Sequence, residues 1–238
     1  MQREIKFAYG LNNLIKTIIP LFFLLVVATL FMVVSAQPVK PDTFPPDSKP
    51  YNVTYPEWSV RWWKWVLTIP EENNPIADQT GKDCGINQQG PAWFLTGTLG
   101  GSVIRHCTIP SGKAILMSPL NAECSFAEFP AMKTDSELSG CAKYSNDAQI
   151  VVSIDGTKLQ NLDAYHVQSQ IFNVTLPQNN IYGAPGGPTQ AVSDGWWIML
   201  KPLSPGTHKV HLSGIVLDNP VTGTQSFAVE VTYNLEVL

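Results

Sequence analysis

From Pro91 to Leu238 the chain is a succession of short apolar or alternating segments, cut at regular intervals by turns rich in Gly and Pro. Pro91–Thr96 is an apolar run ending at Gly97, and Ser102–Thr108 alternates. Ile109-Pro110-Ser111-Gly112 reads as a turn and Lys113–Ser118 as the returning strand of a hairpin. Gln149–Ile154 is β-branched and stops at Asp155-Gly156, and Val167–Leu176 alternates up to Pro177. Trp196–Leu200, Lys209–Leu217 and Ser226–Leu238 complete the pattern. At least seven strands so spaced predict a mainly β fold, an antiparallel, jelly-roll-like β-sandwich. Pro205-Gly206 suits a type II turn, so Trp196–Leu200 and Lys209–Leu217 are expected to pair. That register puts His208, Val210, Leu212 and Gly214 inward, with His208 partly buried and hydrogen-bonded, and leaves His211 exposed. Residues 121–147 look irregular apart from a short helix at Asp135–Lys143, and Tyr182–Val192 reads as a loop long enough to be functional.

Before the strands, Tyr55–Ile69 changes period. Trp58, Trp62, Trp65, Val66 and Ile69 fall at i, i+4, i+7, i+8 and i+11, the stripe of an amphipathic helix. Thr54-x-x-Glu57 has the form of a capping box, Pro56 fits the first turn and Pro70 ends the helix. Trp63, Val60 and Leu67 leave a narrow polar strip around Glu57, Arg61 and Lys64, which points to burial. Core packing is the expected role of the indoles. Trp58, Trp62, Trp63 and Trp65 are also the candidate binding residues, as a sugar-stacking platform or, with Arg61 and Lys64, in a membrane interface.

The N-terminal 36 residues read as a hydrophobic export helix. Lys6 and Lys16 precede an uncharged run, Ile18–Val34, and Val34-Ser35-Ala36 offers a cleavage point. The run is longer than a usual signal core and at the lower limit for spanning a bilayer, so a cleaved signal and a retained anchor both fit. Either way residues 37–238 are expected outside the cytoplasm, secreted or held at the outer face of the membrane. Gln37–Pro50, with five prolines, reads as a semi-rigid linker, and residues 51–238 as one domain. Four cysteines without a C-x-x-C pair argue for disulfides rather than zinc; Cys84–Cys107 and Cys124–Cys141 close the shorter loops. Asn52 and Asn173 begin N-x-T sequons.

At 44% hydrophobic residues the chain is not disordered. Beyond residue 36 it keeps twelve basic and 18 acidic side chains, which excludes a nucleic-acid partner. No metal or cofactor is expected: His106, His166, His208 and His211 lack ligand spacing, since His208 and His211 fall on opposite faces of a strand. There is neither a G-x-S-x-G nor an H-E-x-x-H motif. Asp78, Asp83, Glu123, Glu128 and Asp194 are loop acids from which a glycosidase would need a pair.

The segments WSVRWWKWVLTIPEENNPIADQTGKDC, GPAWFLTGTLGG, RHCTIPSGKAILMSPLN and DGWWIMLKPLSPGTHKVHLSG resemble a group of uncharacterised exported proteins of archaea and bacteria. The resemblance implies a single domain and a tie between Cys84 and Cys107, and supplies no catalytic residue. The expected function is therefore a non-enzymatic surface or extracellular module that binds a protein, glycan or envelope partner. Membrane contact would come through the N-terminal helix if it stays uncleaved. The alternative is a carbohydrate-active hydrolase using loop carboxylates.

Overall fold

The computed structural model describes residues 41–143, 148–218 and 225–238. The N-terminal helix, with its alternatives of signal and anchor, lies outside them. Among the described residues no helix is long and apolar enough to cross a membrane.

The chain is mainly β, a sandwich of several sheets with one packed helix. Helix α1 spans Tyr55–Leu67. Its capping box is formed: Thr54 Oγ1 accepts from the Glu57 amide, and Glu57 Oε2 accepts from the Thr54 amide at 2.8 Å. At the other end Asn74 Nδ2 donates to the carbonyls of Val66 and Ile69, satisfying acceptors the helix leaves open. Helix α2 is Asp135–Cys141, close to the expected short helix.

Three sheets share one apolar core. The first is β1 (Ala92–Phe94), β3 (Ala114–Met117) and β10 (Ile198–Leu200), buried at every position. The second orders β2 (Gly101–Ile109), β12 (Phe227–Val237), β11 (Gly206–Val216), β5 (Gln149–Ile154) and β6 (Thr157–Lys158), with alternating burial and one wet face. The third joins β4 (Asn121–Ser125), β9 (Gly187–Trp196) and β7 (His166–Gln168), with β8 (Phe172–Leu176) also on β9. The pairing is not antiparallel throughout: β1 runs parallel to β3, and β2 parallel to β12.

Both expected hairpins are replaced by crossings between sheets. The strand after Gly112 pairs with β1 and β10 instead of β2, and β10 pairs with β3 instead of β11. The reason is in the side chains. Ala114-Ile115-Leu116-Met117 and Ile198-Met199-Leu200 are apolar on both faces and need cover on both, whereas β2 and β11 alternate and keep one face in water. The inward set of β11 is as expected: Val210 and Leu212 are buried and His208 is half-buried. His211 is half-buried rather than exposed, its Nδ1 3.2 Å from Thr232 Oγ1 on β12. The Gly/Pro-rich stretch 182–192 is mostly strand, because Gly187–Ala191 pair with β8. Residues 121–125, read as irregular, are an edge strand on β9.

The Pro-rich segment assigned as a spacer is docked over its described part. Thr43 bridges Leu200, the Phe44 amide donates to the Met199 carbonyl, and Pro50 is buried. Prolines lack donors, but the intervening Asp42-Thr43-Phe44 carries enough backbone groups to pair with the free edge of β10. Disulfides join Cys84 to Cys107 and Cys124 to Cys141. The first ties the 81–88 turns to β2, and the second ties α2 to β4.

Candidate functional site

The four indoles of α1 are 1–8% exposed. A sugar platform or a membrane-lying face on this helix is thereby corrected, since with Val60 and Leu67 added the apolar stripe is too broad for one wet side. Trp58 Nε1 donates to the Pro50 carbonyl, Trp62 Nε1 to Leu95 and Trp65 Nε1 to Ile86. Trp63 differs: its buried N–H meets no acceptor.

Trp62 and Trp63 also line a cavity of about 220 Å³. Its walls are these two indoles, Ile76, the 97–99 turn after β1, residues 118–123 leading into β4, Tyr182, and Phe227 and Val229 of β12. Leu99 and Phe227 are among the exposed apolar side chains and form its rim. Two glycines let the 119–121 wall pass. A Cβ on Gly195 would lie 2.6 Å from Asn121 Cα, and one on Gly214 would lie 2.6 Å from the Pro119 carbonyl oxygen.

Two further walls hang on one buried cation. Arg105 is 1% exposed, and its Nη2 donates to the Ile76 carbonyl at 3.0 Å. Its Nη1 donates to the Gly97 carbonyl at 2.8 Å. Ile76 and Gly97 both line the cavity.

Glu123 is the acid of this site. It is 8% exposed, and no amide, hydroxyl or basic side chain donates to its oxygens; the polar group beside it is the Glu128 carboxyl. Burial, and then a hydrogen bond shared with Glu128 and the Glu128 charge, push Glu123 well above the usual carboxylate range. Glu128 does not line the cavity; its Oε2 accepts from Ser125 Oγ at 2.6 Å. The pair therefore lacks the two-sided placement that glycoside hydrolysis requires.

The other acids and histidines of interest are tied into structure. Asp78 accepts from the amides of Thr80 and Asp83, and these bonds hold its pKa down although burial works the other way. Asp83 meets Lys82 at 3.0 Å. Asp194, 4% exposed, lies 2.6 Å from His166 Nε2, and that imidazole stacks on Trp196 with centroids 4.1 Å apart. The contact pins β7 to β9. His106 is exposed on β2. Among the described residues no three His, Cys, Asp or Glu side chains converge on a metal position. Asn52 and Asn173 are both exposed.

One arrangement has the outline of a Ser–His–Asp triad. His208 Nδ1 lies 2.7 Å from Asp155 Oδ2, and Nε2 is 3.4 Å from Ser204 Oγ. However, Nε2 is 2.9 Å from the Ser204 carbonyl oxygen, which can only accept. With a carboxylate at Nδ1 and a carbonyl at Nε2, both nitrogens donate, and no lone pair is left to act as a base. Burial lowers the His208 pKa, but the bonds to Asp155 and Ser204 and the charges of Asp155 and Glu236 outweigh it, so the net shift is upward. A raised folded-state value means that this clip stabilises fully below the unfolded-state pKa, about 6.5, and weakens as pH rises through the folded value. The stability difference between the wild type and His208→Gln is thus expected to be larger at pH 6 than at pH 9, measured by urea unfolding. A difference independent of pH would show that the imidazolium is not the bound form.

No family model and no curated protein matches the chain. Similar solved structures include the cysteine protease inhibitor EhICP2 from Entamoeba histolytica, at 15% identity over 61% of this chain and 94% of that one, with a TM-score of 0.22. PbICP-C, solved in complex with falcipain-2, is 11% identical over 64% of this chain and 96% of its own, with a TM-score of 0.23. Likenesses of that size carry no argument about function.

Proposed function

We propose that this chain is an extracytoplasmic, non-enzymatic binding module, secreted or tethered by its N-terminal segment, whose ligand enters the cavity beside Glu123. The observation that carries the reading is a buried carboxyl that no amide, hydroxyl or basic side chain reaches, lining a cavity walled by indoles. A desolvated polar group without a partner costs roughly 1–3 kcal/mol, a cost a bound partner could offset. Pockets for small ligands have this make-up, apolar walls with a few polar groups that orient the guest. The two disulfides support an oxidising compartment. The exposed sequons at Asn52 and Asn173 are compatible with glycosylation there.

Fragment screening by NMR on indole-labelled protein tests this reading. Hits should shift the Trp63 Nε1–H resonance, and chromogenic glycosides should remain intact. Turnover of a glycoside that is lost in both Glu123→Gln and Glu128→Gln would replace this reading with the hydrolase alternative.

A further inference from the structure

The cavity's charge and its aromatic walls define a class of guest. Trp62 and Trp63 stand almost perpendicular, at 84° with centroids 4.9 Å apart, and Tyr182 and Phe227 add two more rings to the lining. No Lys, Arg or His is among the lining residues; Arg105 lies behind the wall with its charge turned onto the carbonyls of Asp78, Ile76 and Gly97, and Glu123 is the ionisable acid in the lining. A nine-tenths-buried carboxyl whose polar neighbour is a second carboxyl is held protonated when the cavity is empty, and a cation brought from outside is the guest that would favour its ionised form. Indole and phenol rings attract cations through their π faces, most strongly when the charge is desolvated. A neutral apolar guest would use the rings but leave the Glu123 oxygens unmet, and an anion would be repelled by both Glu123 and the nearby Glu128. The volume, about 220 Å³, exceeds the roughly 150 Å³ that admits benzene in an engineered cavity. A guest with a handful of carbon atoms around one charge therefore fits.

We propose that the cavity lined by Trp62, Trp63 and Glu123 binds a small organic cation of the quaternary-ammonium class, with the charge facing the Glu123 carboxylate and the alkyl groups against the aromatic rings. The proposal rests on the reading of this cavity as a ligand site. A permanently charged, alkylated nitrogen suits it better than a primary ammonium. A primary ammonium would have to aim three N–H bonds at oxygens and give up its water to do so, whereas N-methyl groups ask only for the apolar and π contact that the indole walls supply.

Choline and its uncharged carbon isostere 3,3-dimethylbutanol are the probes, titrated into the folded protein while the Trp62 and Trp63 indole resonances are followed. Choline is expected to bind at least tenfold more tightly than the isostere. Glu123→Gln, which keeps the side-chain shape, is expected to weaken choline at least tenfold and to leave the isostere unchanged. Leu99→Trp, at the exposed rim, should hinder both probes with Glu123 intact, and it carries the test if the Gln variant does not fold. Equal binding of the two probes, or unchanged choline binding in Glu123→Gln, overturns the cation assignment and leaves the cavity a binding site. Fragment hits at Trp63 without choline binding do the same. Indole resonances that respond to neither probe nor to any fragment overturn the binding reading itself.

Discussion

Replacing Trp62 with Ala is expected to destabilise the protein by about 3–5 kcal/mol, a large part of the roughly 5–15 kcal/mol that a domain possesses. Trp62 is 1% exposed, with its indole N–H on the Leu95 carbonyl just after β1 and its ring against Trp197, between β9 and β10. Its ring packs edge-on against Trp63, Trp65 and Trp197, at centroid distances of 4.9, 6.0 and 5.3 Å. Truncation would remove these contacts together and strip the Leu95 carbonyl of its indole donor, so the upper part of the range is the better expectation. Equilibrium unfolding in urea with an unchanged slope would measure it. Arg61→Ala is the control. Arg61 is exposed and lies 4.9 Å over the Trp58 ring, and its loss should cost less than about 1 kcal/mol. A Trp62→Ala variant within that smaller range would mean that the helix does not hold the core together.

What could be read before the structure was local. The indole stripe, the capping box at Thr54–Glu57 and the inward phase of Val210 and Leu212 each depend on residues a few positions apart, and each is present. The disulfides were legible through loop length alone. Partner choice between strands was not. A turn such as Ile109–Gly112 has the composition of a hairpin turn, but it fixes only that the chain bends. Which sheet the next strand joins depends on whether one or both of its faces must be covered. The all-apolar character of Ala114–Met117 was the available signal, and it outweighs the turn. The cavity was less legible still. Glu123 lies in a five-residue edge strand of mixed polarity, and its distinction comes from Trp63, 60 positions earlier, and from Phe227, far later in the chain.

Arg105 shows how a single inward residue can be visible in phase and still be missed in role, and removing it is the second large expected effect. On β2 the buried positions are Val103, Arg105, Cys107 and Ile109, while Ile104 points outward and is 62% exposed. Alternation therefore placed a guanidinium in the core, and the bonds that make this tolerable come from distant segments. Nε donates to the Asp78 carbonyl at 2.7 Å, and Nη1 to Thr96 Oγ1, Gly97 O and Tyr233 Oη, each at 2.8 Å. With Nη2 on Ile76, the planar fork is spread over the 76–78 turn, the 96–97 segment and β12. Among the described residues no carboxylate forms a salt bridge with it; carbonyl and hydroxyl dipoles hold the charge. Arg105→Met keeps much of the side chain's bulk but leaves several buried acceptors without donors, each costing roughly 1–3 kcal/mol before rearrangement. A net loss of about 3–5 kcal/mol is expected in urea unfolding. Arg105→Lys should recover little of it, because three donors on a point-like ammonium cannot reproduce the fork. Tyr233→Phe should cost about 1–2 kcal/mol, and less than additively in the Arg105→Met background, since the two share one bonded network. If Lys restores full stability, a charge of any shape suffices there. If it does not, the cavity walls at Ile76 and Gly97 owe their positions to the guanidinium geometry, and the Trp63 indole resonance should shift in the Lys variant as well.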